Sequence, residues 1–189
     1  KITQVAGNIC LPLSAIALKT TPDEYSVIEV SSFQLEHMPS FHPHVAALLN
    51  LTPDHLNRHG SMEAYGALKE GRLKHQTAQD FFLYNADDAF CVAVAKRAKA
   101  QAIPFSRLHP QTEGAWMEDG QLMLDGRALC TAEEISLPGP HNLENALAAS
   151  AIAAQLGIPA AVIRHSLRSF AGVEHRMETV RTFRGVRWI

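Results

Sequence analysis

The sequence lacks both glycine-rich motifs that cradle nucleotide phosphates. No Gly-x-x-x-x-Gly-Lys-Ser/Thr phosphate loop occurs among the 189 residues, and no Gly-x-Gly-x-x-Gly dinucleotide fingerprint occurs either. The second absence argues against a nicotinamide-dependent enzyme. The first means that this chain by itself has no phosphate loop with which to bind a nucleoside triphosphate.

Long apolar and long basic runs are also missing. No apolar stretch approaches the roughly 20 residues that cross a bilayer, and no signal peptide is visible. The formal net charge is −2, and the basic residues form no patch of the kind that binds nucleic acid. We therefore expect neither a membrane nor nucleic acid as a partner.

Cysteine is scarce, with only Cys10, Cys91 and Cys130 in the chain. Their odd number and wide spacing fit neither a disulfide framework nor a zinc site. We therefore expect the protein to work in the reducing cytoplasm.

The elements that are present alternate between strands and helices. Apolar strands are predicted at residues 25–30, 45–50, 81–84 and 102–105, and helices at residues 9–18, 61–76, 85–99, 143–156 and 160–169. Such alternation predicts an α/β fold with a doubly wound, mostly parallel sheet flanked by helices.

The pattern changes after residue 106. Short apolar segments at residues 115–117, 121–124 and 127–130 are separated by Asp119-Gly120 and Asp125-Gly126, the chemistry of tight hairpins. We predict a smaller antiparallel excursion here, and two further strands at residues 177–183 and 186–189.

Glu29 is the most informative candidate site residue, because it ends a strand that the pattern predicts to be buried. His55 follows the next predicted strand. If both strands belong to one parallel sheet, their carboxyl ends meet at the edge where α/β proteins bind ligands. A carboxylate and an imidazole there would suit a divalent metal beside phosphates. A strand-end Glu paired with an Arg is the alternative for Glu29.

Four other positions are open to two interpretations. Lys69 lies four residues after Tyr65 on a predicted helix, so the two can share a face, but most helical lysines are solvated. Asn142 is a suitable helix N-cap, and Asn145 lies on the same side of the first turn. Their amides could recognise the edge of adenine or could simply begin a helix. Arg176 could bind a nucleotide phosphate or lie in an exposed turn.

Seven segments together resemble the ATP-dependent Mur ligases of peptidoglycan synthesis, in that family's order. They are residues 5–9 (VAGNI), 29–36 (EVSSFQLE), 50–56 (NLTPDHL), 65–69 (YGALK), 85–88 (NADD), 139–145 (GPHNLEN) and 174–178 (EHRME). Within the family, residues 31–35 and 185–189 are most similar to the member that adds D-glutamate.

The resemblance implies an activity for the complete protein. ATP would phosphorylate the carboxylate of UDP-N-acetylmuramoyl-L-alanine to an acyl phosphate, and the amine of D-glutamate would then attack to form an amide. Mg²⁺ would neutralise the phosphates. These small molecules are the expected partners, and we expect a monomer.

The resemblance also implies a role for each candidate residue. Glu29 would bind magnesium, His55 would serve a second magnesium, and Lys69 would be carbamylated by carbon dioxide and act as an anionic group. The remaining roles concern ligands: Asn142 and Asn145 for adenine, Arg176 for the nucleotide, and Asn8 and Ser31 for the muramoyl end of the substrate.

The resemblance covers only the central ATPase domain of such ligases. We therefore expect residues 1–189 to be that domain, without the upstream phosphate loop and without the N- and C-terminal domains, and to be inactive alone. A sister Mur ligase, a folylpolyglutamate-synthase-like enzyme and a non-catalytic nucleotide-binding module remain as alternatives.

Overall fold

The computed structural model describes residues 2–9, 11–71, 73–173 and 180–188. The chain divides into two compact units. The first unit comprises Lys1–Pro43 and Pro53–His75, and the second comprises His44–Thr52 and Gln76–Ile189.

The first unit combines a two-stranded parallel sheet with short helices. Its elements are β1 (Thr3–Gly7), α1 (Leu13–Ile16), β2 (Tyr25–Glu29), α2 (Ser32–Leu35), α3 (Leu56–His59) and α4 (Met62–Gly71). Thr3 pairs with Tyr25 and Gly7 pairs with Glu29, so the two strands end side by side. The polar residues that follow both strands therefore leave the sheet at the same edge.

Strand β2 confirms the strand predicted at residues 25–30, but the prediction that this strand is buried is wrong. Val27 is 52% exposed, and Glu29 is exposed as well. Among the strands that the structure describes, β2 pairs with β1 alone, so this small sheet has too few neighbours to enclose the strand.

The second unit contains the larger sheet. Its elements are β3 (Val45–Leu48), β4 (Phe81–Asn85), α5 (Ala89–Ala95), β5 (Gln101–Ser106), β6 (Ala115–Glu118), β7 (Gln121–Leu124), β8 (Arg127–Thr131), α6 (Pro140–Gln155), α7 (Ala160–Ser169), β9 (Arg181–Phe183) and β10 (Val186–Trp188). Strands β3 to β8 form one sheet in chain order. Strands β3 to β6 pair in parallel, whereas β7 pairs antiparallel with both β6 and β8. This confirms the predicted α/β class and its antiparallel excursion.

Strands β2 and β3 do not share a sheet, contrary to the expectation from sequence. The hydrogen-bonding partner of β2 is β1, whereas that of β3 is β4. Apolar runs of similar composition predict strands but do not specify which strands pair, because pairing depends on long-range packing.

The two Asp-Gly hairpins are confirmed by backbone geometry. Asp119 and Gly120 have φ values of 48° and 77°, and Asp125 and Gly126 have values of 47° and 79°. Positive φ at both central residues defines the turn type that matches the twist of antiparallel strands.

Helix α6 covers the large sheet and closes its core. Leu147 of α6 and Leu83 and Phe105 of the sheet are at most 1% exposed and belong to one apolar cluster. Ala146 and Ala151 are also buried in this cluster, and such small side chains allow the helix to approach the sheet closely.

Several predicted helix limits were wrong. The helix predicted at residues 9–18 is only Leu13–Ile16, with Pro12 as its N-cap, because proline can precede a first turn but cannot continue one. The predicted helix at residues 61–76 ends at Gly71. Helix α6 begins at Pro140, earlier than predicted, and proline is a favoured first residue.

None of the helices in the described ranges combines the length and the hydrophobicity needed to cross a membrane.

Candidate functional site

Glu29 lies at the end of the β1–β2 sheet and is held there by Asn8. The Asn8 side chain donates from Nδ2 to Glu29 Oε1 over 3.2 Å, and the Asn8 backbone N–H donates to the Glu29 carbonyl over 2.9 Å. The partner found for this carboxylate is thus an amide rather than an arginine. The exposed Glu29 carboxylate keeps its negative charge available to a cation.

Glu29 lines a cavity of about 430 Å³ in the first unit, together with Phe33, Gln34 and Arg58. The adjacent Ser31 caps α2, because its Oγ accepts from the Gln34 backbone N–H while the Gln34 side chain accepts from Ser31 N–H. The capping box fixes the direction in which α2 leaves the strand end.

His55 has an unusual backbone conformation for a residue with a side chain. It is the N-cap of α3 with φ 52° and ψ 27°, a left-handed conformation that is often found at functional sites. Its side chain is 48% exposed, and Nε2 lies 3.3 Å from Asp54 Oδ2. Its ring centroid lies 5.0 Å from that of Phe33, so Phe33 contacts His55 and lines the same cavity as Glu29.

The described residues contain no group of three or more His, Cys, Asp or Glu side chains that could hold a metal ion. This excludes a site of the structural zinc type from those residues. Magnesium, however, keeps several waters and usually takes one or two protein carboxylates plus substrate phosphates. A single exposed carboxylate such as Glu29 therefore fits a magnesium ion that arrives with a nucleotide.

Lys69 is half-buried rather than on a fully solvated face. Its Nζ lies 5.1 Å from the ring centroid of Tyr65, a distance at which the aromatic face attracts a cation. Tyr65 itself is only 6% exposed. The expectation that the two side chains share one helix face is confirmed.

A second cavity, of about 730 Å³, lies within the second unit. Asn142 and Asn145 line it, together with the apolar side chains of Leu137, Ala146 and Phe170. An apolar lining with a few polar groups is typical of a small-molecule binding site.

The prediction that Asn142 caps α6 is wrong. The N-cap is Gly139, with φ 102°, and Asn142 lies in the first helical turn. The Asn142 side chain donates from Nδ2 to the Pro138 carbonyl over 2.8 Å. Asn142 thus fixes the turn that leads into the helix, whereas Asn145 is exposed at the cavity wall.

Arg176 and the rest of the 174–178 segment lie outside the described residues, so their predicted role stays a prediction. The sequence analysis did not single out His59, whose side chain is 2% exposed. Its spacing of four residues from His55 was the available signal. Phe170, at the wall of the second cavity, was also not predicted, and no local pattern distinguishes it.

A thiol nucleophile is not supported among the described residues. Cys91 and Cys130 are both buried, and neither forms a disulfide. Burial raises the pKa of the Cys130 thiol, and a protonated buried thiol is a poor nucleophile.

The comparison with solved structures defines the class of protein first. MurF from Acinetobacter baumannii superimposes with a TM-score of 0.71 over 96% of this chain and 48% of that chain, at 17% sequence identity. At that identity the similarity concerns the fold alone, which is a mixed α/β domain.

The family follows from the sequence. Residues 5–153 match the Mur ligase middle domain, and the chain belongs to the Mur ligase family. This confirms the resemblance inferred from the seven segments.

Two relatives carry the same name, UDP-N-acetylmuramoylalanine–D-glutamate ligase. The protein from Alkaliphilus oremlandii is 46% identical over 99% of this chain and 42% of its own length. The protein from Caldanaerobacter subterraneus is 42% identical over 97% of this chain and 41% of its own length. The chain thus spans about two fifths of the length of these relatives.

The close approach of β1 and β2 gives a prediction about stability. In Gly7→Ala the new Cβ would lie 2.1 Å from the Glu29 carbonyl oxygen at a φ of +119°, so the free energy of unfolding should fall by more than about 2 kcal/mol. Gly60→Ala is the matched control, since Gly60 has φ +79° with no atom within 4 Å and should cost only about 1 kcal/mol. Urea unfolding followed by circular dichroism measures both, and equal losses would contradict the close approach.

Proposed function

We propose that this chain is the middle domain of a ligase that uses ATP to join D-glutamate to UDP-N-acetylmuramoyl-L-alanine in peptidoglycan synthesis. The observation that carries the proposal is the shared name of relatives that are 42% and 46% identical over nearly the whole chain. The direct test is phosphate release from ATP by the complete protein, which should require both D-glutamate and the UDP-linked substrate. Equal release with a different amino acid would contradict the assignment.

We propose further that the phosphate loop and the other domains of the ligase lie outside residues 1–189. Their absence from the sequence and the share of the relatives that the chain covers support this division. We expect the complete protein to be a cytoplasmic monomer that acts on small molecules, and sedimentation of the purified protein tests its oligomeric state.

The second cavity is the proposed site for the adenine of ATP. Its apolar wall can cover the face of the base, and an amide can both donate to and accept from the adenine edge. The Asn142 amide already donates to Pro138, so Asn145 is the better candidate to contact the base. We assign Arg176 to the nucleotide on the basis of the family resemblance alone.

Glu29 is the proposed protein ligand of the magnesium ion that accompanies ATP. Its carboxylate is exposed and its contact with the Asn8 amide leaves the charge uncompensated. The ion would supply charge neutralisation at the phosphates. We assign His55 to the same region, since it contacts Phe33 at the wall of the Glu29 cavity, and we assign Asn8 and Ser31 to the muramoyl end of the substrate.

The proposed reaction has two steps. The substrate carboxylate attacks the terminal phosphorus of ATP, which forms an acyl phosphate and releases ADP. The amine of D-glutamate then attacks the acyl carbon and loses a proton, and inorganic phosphate leaves as the amide forms. The chain's own residues hold and orient the reactants, which accounts for much of the acceleration in such transfers.

Lys69 is proposed to carry a carbamate in the complete protein. Lys69 is half-buried over Tyr65, so its amine moves less freely than the amine of a solvated lysine. The Lys69 ammonium first loses one proton, and addition of carbon dioxide to the neutral amine then forms the N–C bond and releases a second proton. A cation is thereby replaced by an anionic carbamate. That anion could then orient groups near the phosphates.

In the complete protein, replacing Asn142 should mainly affect stability, whereas replacing Asn145 should mainly affect ATP binding. Asn142→Ala removes the hydrogen bond to Pro138 and should lower the free energy of unfolding by about 1 kcal/mol. Asn145→Ala should change stability by less than about 0.5 kcal/mol, and should raise the KM for ATP at least about fivefold because a base contact is lost. Thermal unfolding and phosphate-release kinetics separate the two effects. Unchanged ATP kinetics in Asn145→Ala would remove this residue from the nucleotide site.

In the complete protein, Glu29→Gln should leave the fold intact and nearly abolish turnover. The change keeps the shape and the contact with Asn8 but removes the charge. Mutation of a residue that only contacts a metal ligand can lower activity roughly 100-fold. Loss of a direct ligand should therefore lower kcat by at least that factor. Glu24→Gln is the control, because Glu24 also accepts from a side-chain amide, that of Gln4, over 3.4 Å. Near-parental kcat for Glu29→Gln at ordinary magnesium concentration would make Glu29 purely structural.

The carbamate on Lys69 should be visible directly. In the full-length protein with labelled bicarbonate, magnesium and nucleotide, carbon-13 NMR should show a carbamate resonance that is absent from Lys69→Ala. Activity of the parent protein should also rise with bicarbonate concentration, because more Lys69 then carries the carbamate. A resonance that persists in Lys69→Ala, or that never forms in the parent, would exclude this role.

A further inference from the structure

His59 is a buried histidine that the proposed reaction does not use. Its side chain is 2% exposed, and both ring nitrogens face polar groups near α2. Nε2 lies 2.9 Å from Ser32 Oγ, and Nδ1 lies 3.7 Å from Glu36 Oε1. The other oxygen of Glu36 accepts from Arg58 over 2.7 Å. The edge of the imidazole is thus fixed from two sides.

The face of the same imidazole packs on Tyr65. The ring centroids of His59 and Tyr65 are 5.2 Å apart and the planes differ by only 12°. Tyr65 is in turn the ring over which the Lys69 ammonium lies, at 5.1 Å from the centroid. A continuous series of contacts therefore runs from Ser32 and Glu36 through His59 and Tyr65 to Lys69.

The set of Ser32, His59 and Glu36 has the composition of a hydrolytic triad, but its geometry argues against that chemistry. Ser32 is 4% exposed, so a substrate carbonyl has no access to its hydroxyl. The 3.7 Å separation of Nδ1 from Glu36 is also longer than a hydrogen bond. The arrangement holds a ring in place rather than activating a nucleophile.

We propose that His59 is a positioning residue for Lys69, acting through the ring of Tyr65. The proposal rests on the carbamate role of Lys69 given above. The hydrogen bond between Nε2 and Ser32 orients the imidazole of His59, with Glu36 beside Nδ1 at 3.7 Å, and the parallel stack then restricts the ring of Tyr65. Tyr65 in turn keeps the Lys69 amine over its face instead of in solvent. Loss of the imidazole leaves Tyr65 and Lys69 less restrained. The Lys69 amine then meets carbon dioxide less often in the geometry that retains the carbamate.

The test measures the carbamate on Lys69 in the full-length protein as bicarbonate is titrated. Carbon-13 NMR with saturating magnesium and nucleotide gives the bicarbonate concentration at half-maximal carbamate signal. His59→Ala should raise that concentration at least about tenfold, since misplacement of a reacting group by about 1 Å is costly. His59→Phe, which keeps a ring on Tyr65 but loses the nitrogen contacts, should raise it only about threefold.

A matched control is His75→Ala, which removes a histidine of the same unit whose Nε2 lies 2.6 Å from the Pro39 carbonyl. It should leave the carbamate titration unchanged. The KM for ATP should also stay within about twofold in His59→Ala, because His59 neither lines the proposed adenine cavity nor is assigned to the magnesium ion. A general loss of structure would instead change both quantities.

The outcomes separate the two proposals. A carbamate that forms in the parent and titrates identically in His59→Ala would overturn the role of His59 while leaving that of Lys69 intact. No carbamate in the parent would overturn both. If His59→Ala does not fold, Ser32→Ala keeps the ring and removes only the Nε2 contact. It should raise the half-maximal bicarbonate concentration about threefold, and an unchanged value would overturn the proposal.

Discussion

The parallel pairing of β1 with β2 is the constraint on which the first unit depends. Because Gly7 pairs with Glu29, both strands end at one edge, and the backbones approach so closely there that a Cβ at Gly7 has no room. The next residue, Asn8, is consequently close enough to donate to the Glu29 carboxylate. The cap of α2 at Ser31 begins two residues after Glu29, so one strand pairing positions the carboxylate, the amide and the start of the helix.

The two units are stabilised in different ways. The large apolar cluster lies wholly in the second unit, where α6 covers the sheet. The first unit buries fewer apolar side chains, among them Ala6, Ile16 and Tyr65, and relies more on polar and aromatic contacts. Regions with little apolar burial unfold locally more readily. Most of the candidate catalytic groups lie in this less apolar first unit.

The fold was predictable from sequence wherever local chemistry decides it. The Asp-Gly turns, strand β7 at residues 121–124 and helix α7 at residues 160–169 have the expected bounds, because turn residues and hydrophobic period are local signals. The start of α6 was missed because Gly139 and Pro140 begin the helix. Asn142, which could equally have been a cap, instead bonds back to Pro138.

The candidate site was predictable only in part, for a different reason. Glu29 was selected because it ends a predicted strand, whereas Lys69 and Asn145 took their proposed roles from the family resemblance. The placement of Lys69 over Tyr65 followed from helical spacing. The exposure of Glu29 and the burial of His59 were not predictable, since each depends on which strands and helices surround the residue.

By itself, the sequence determined the fold class, the hairpins and the motifs that assign the chain to its family, because these reside in residues close together in the chain. Only the tertiary structure decided that β2 and β3 belong to different sheets, that Asn8 holds Glu29, and that a buried imidazole packs between α2 and Tyr65. Those contacts join residues that are separated in the chain, such as Asn8 with Glu29 and Val45 with Phe81. Their energies come from burial and geometry that exist only once the chain has folded.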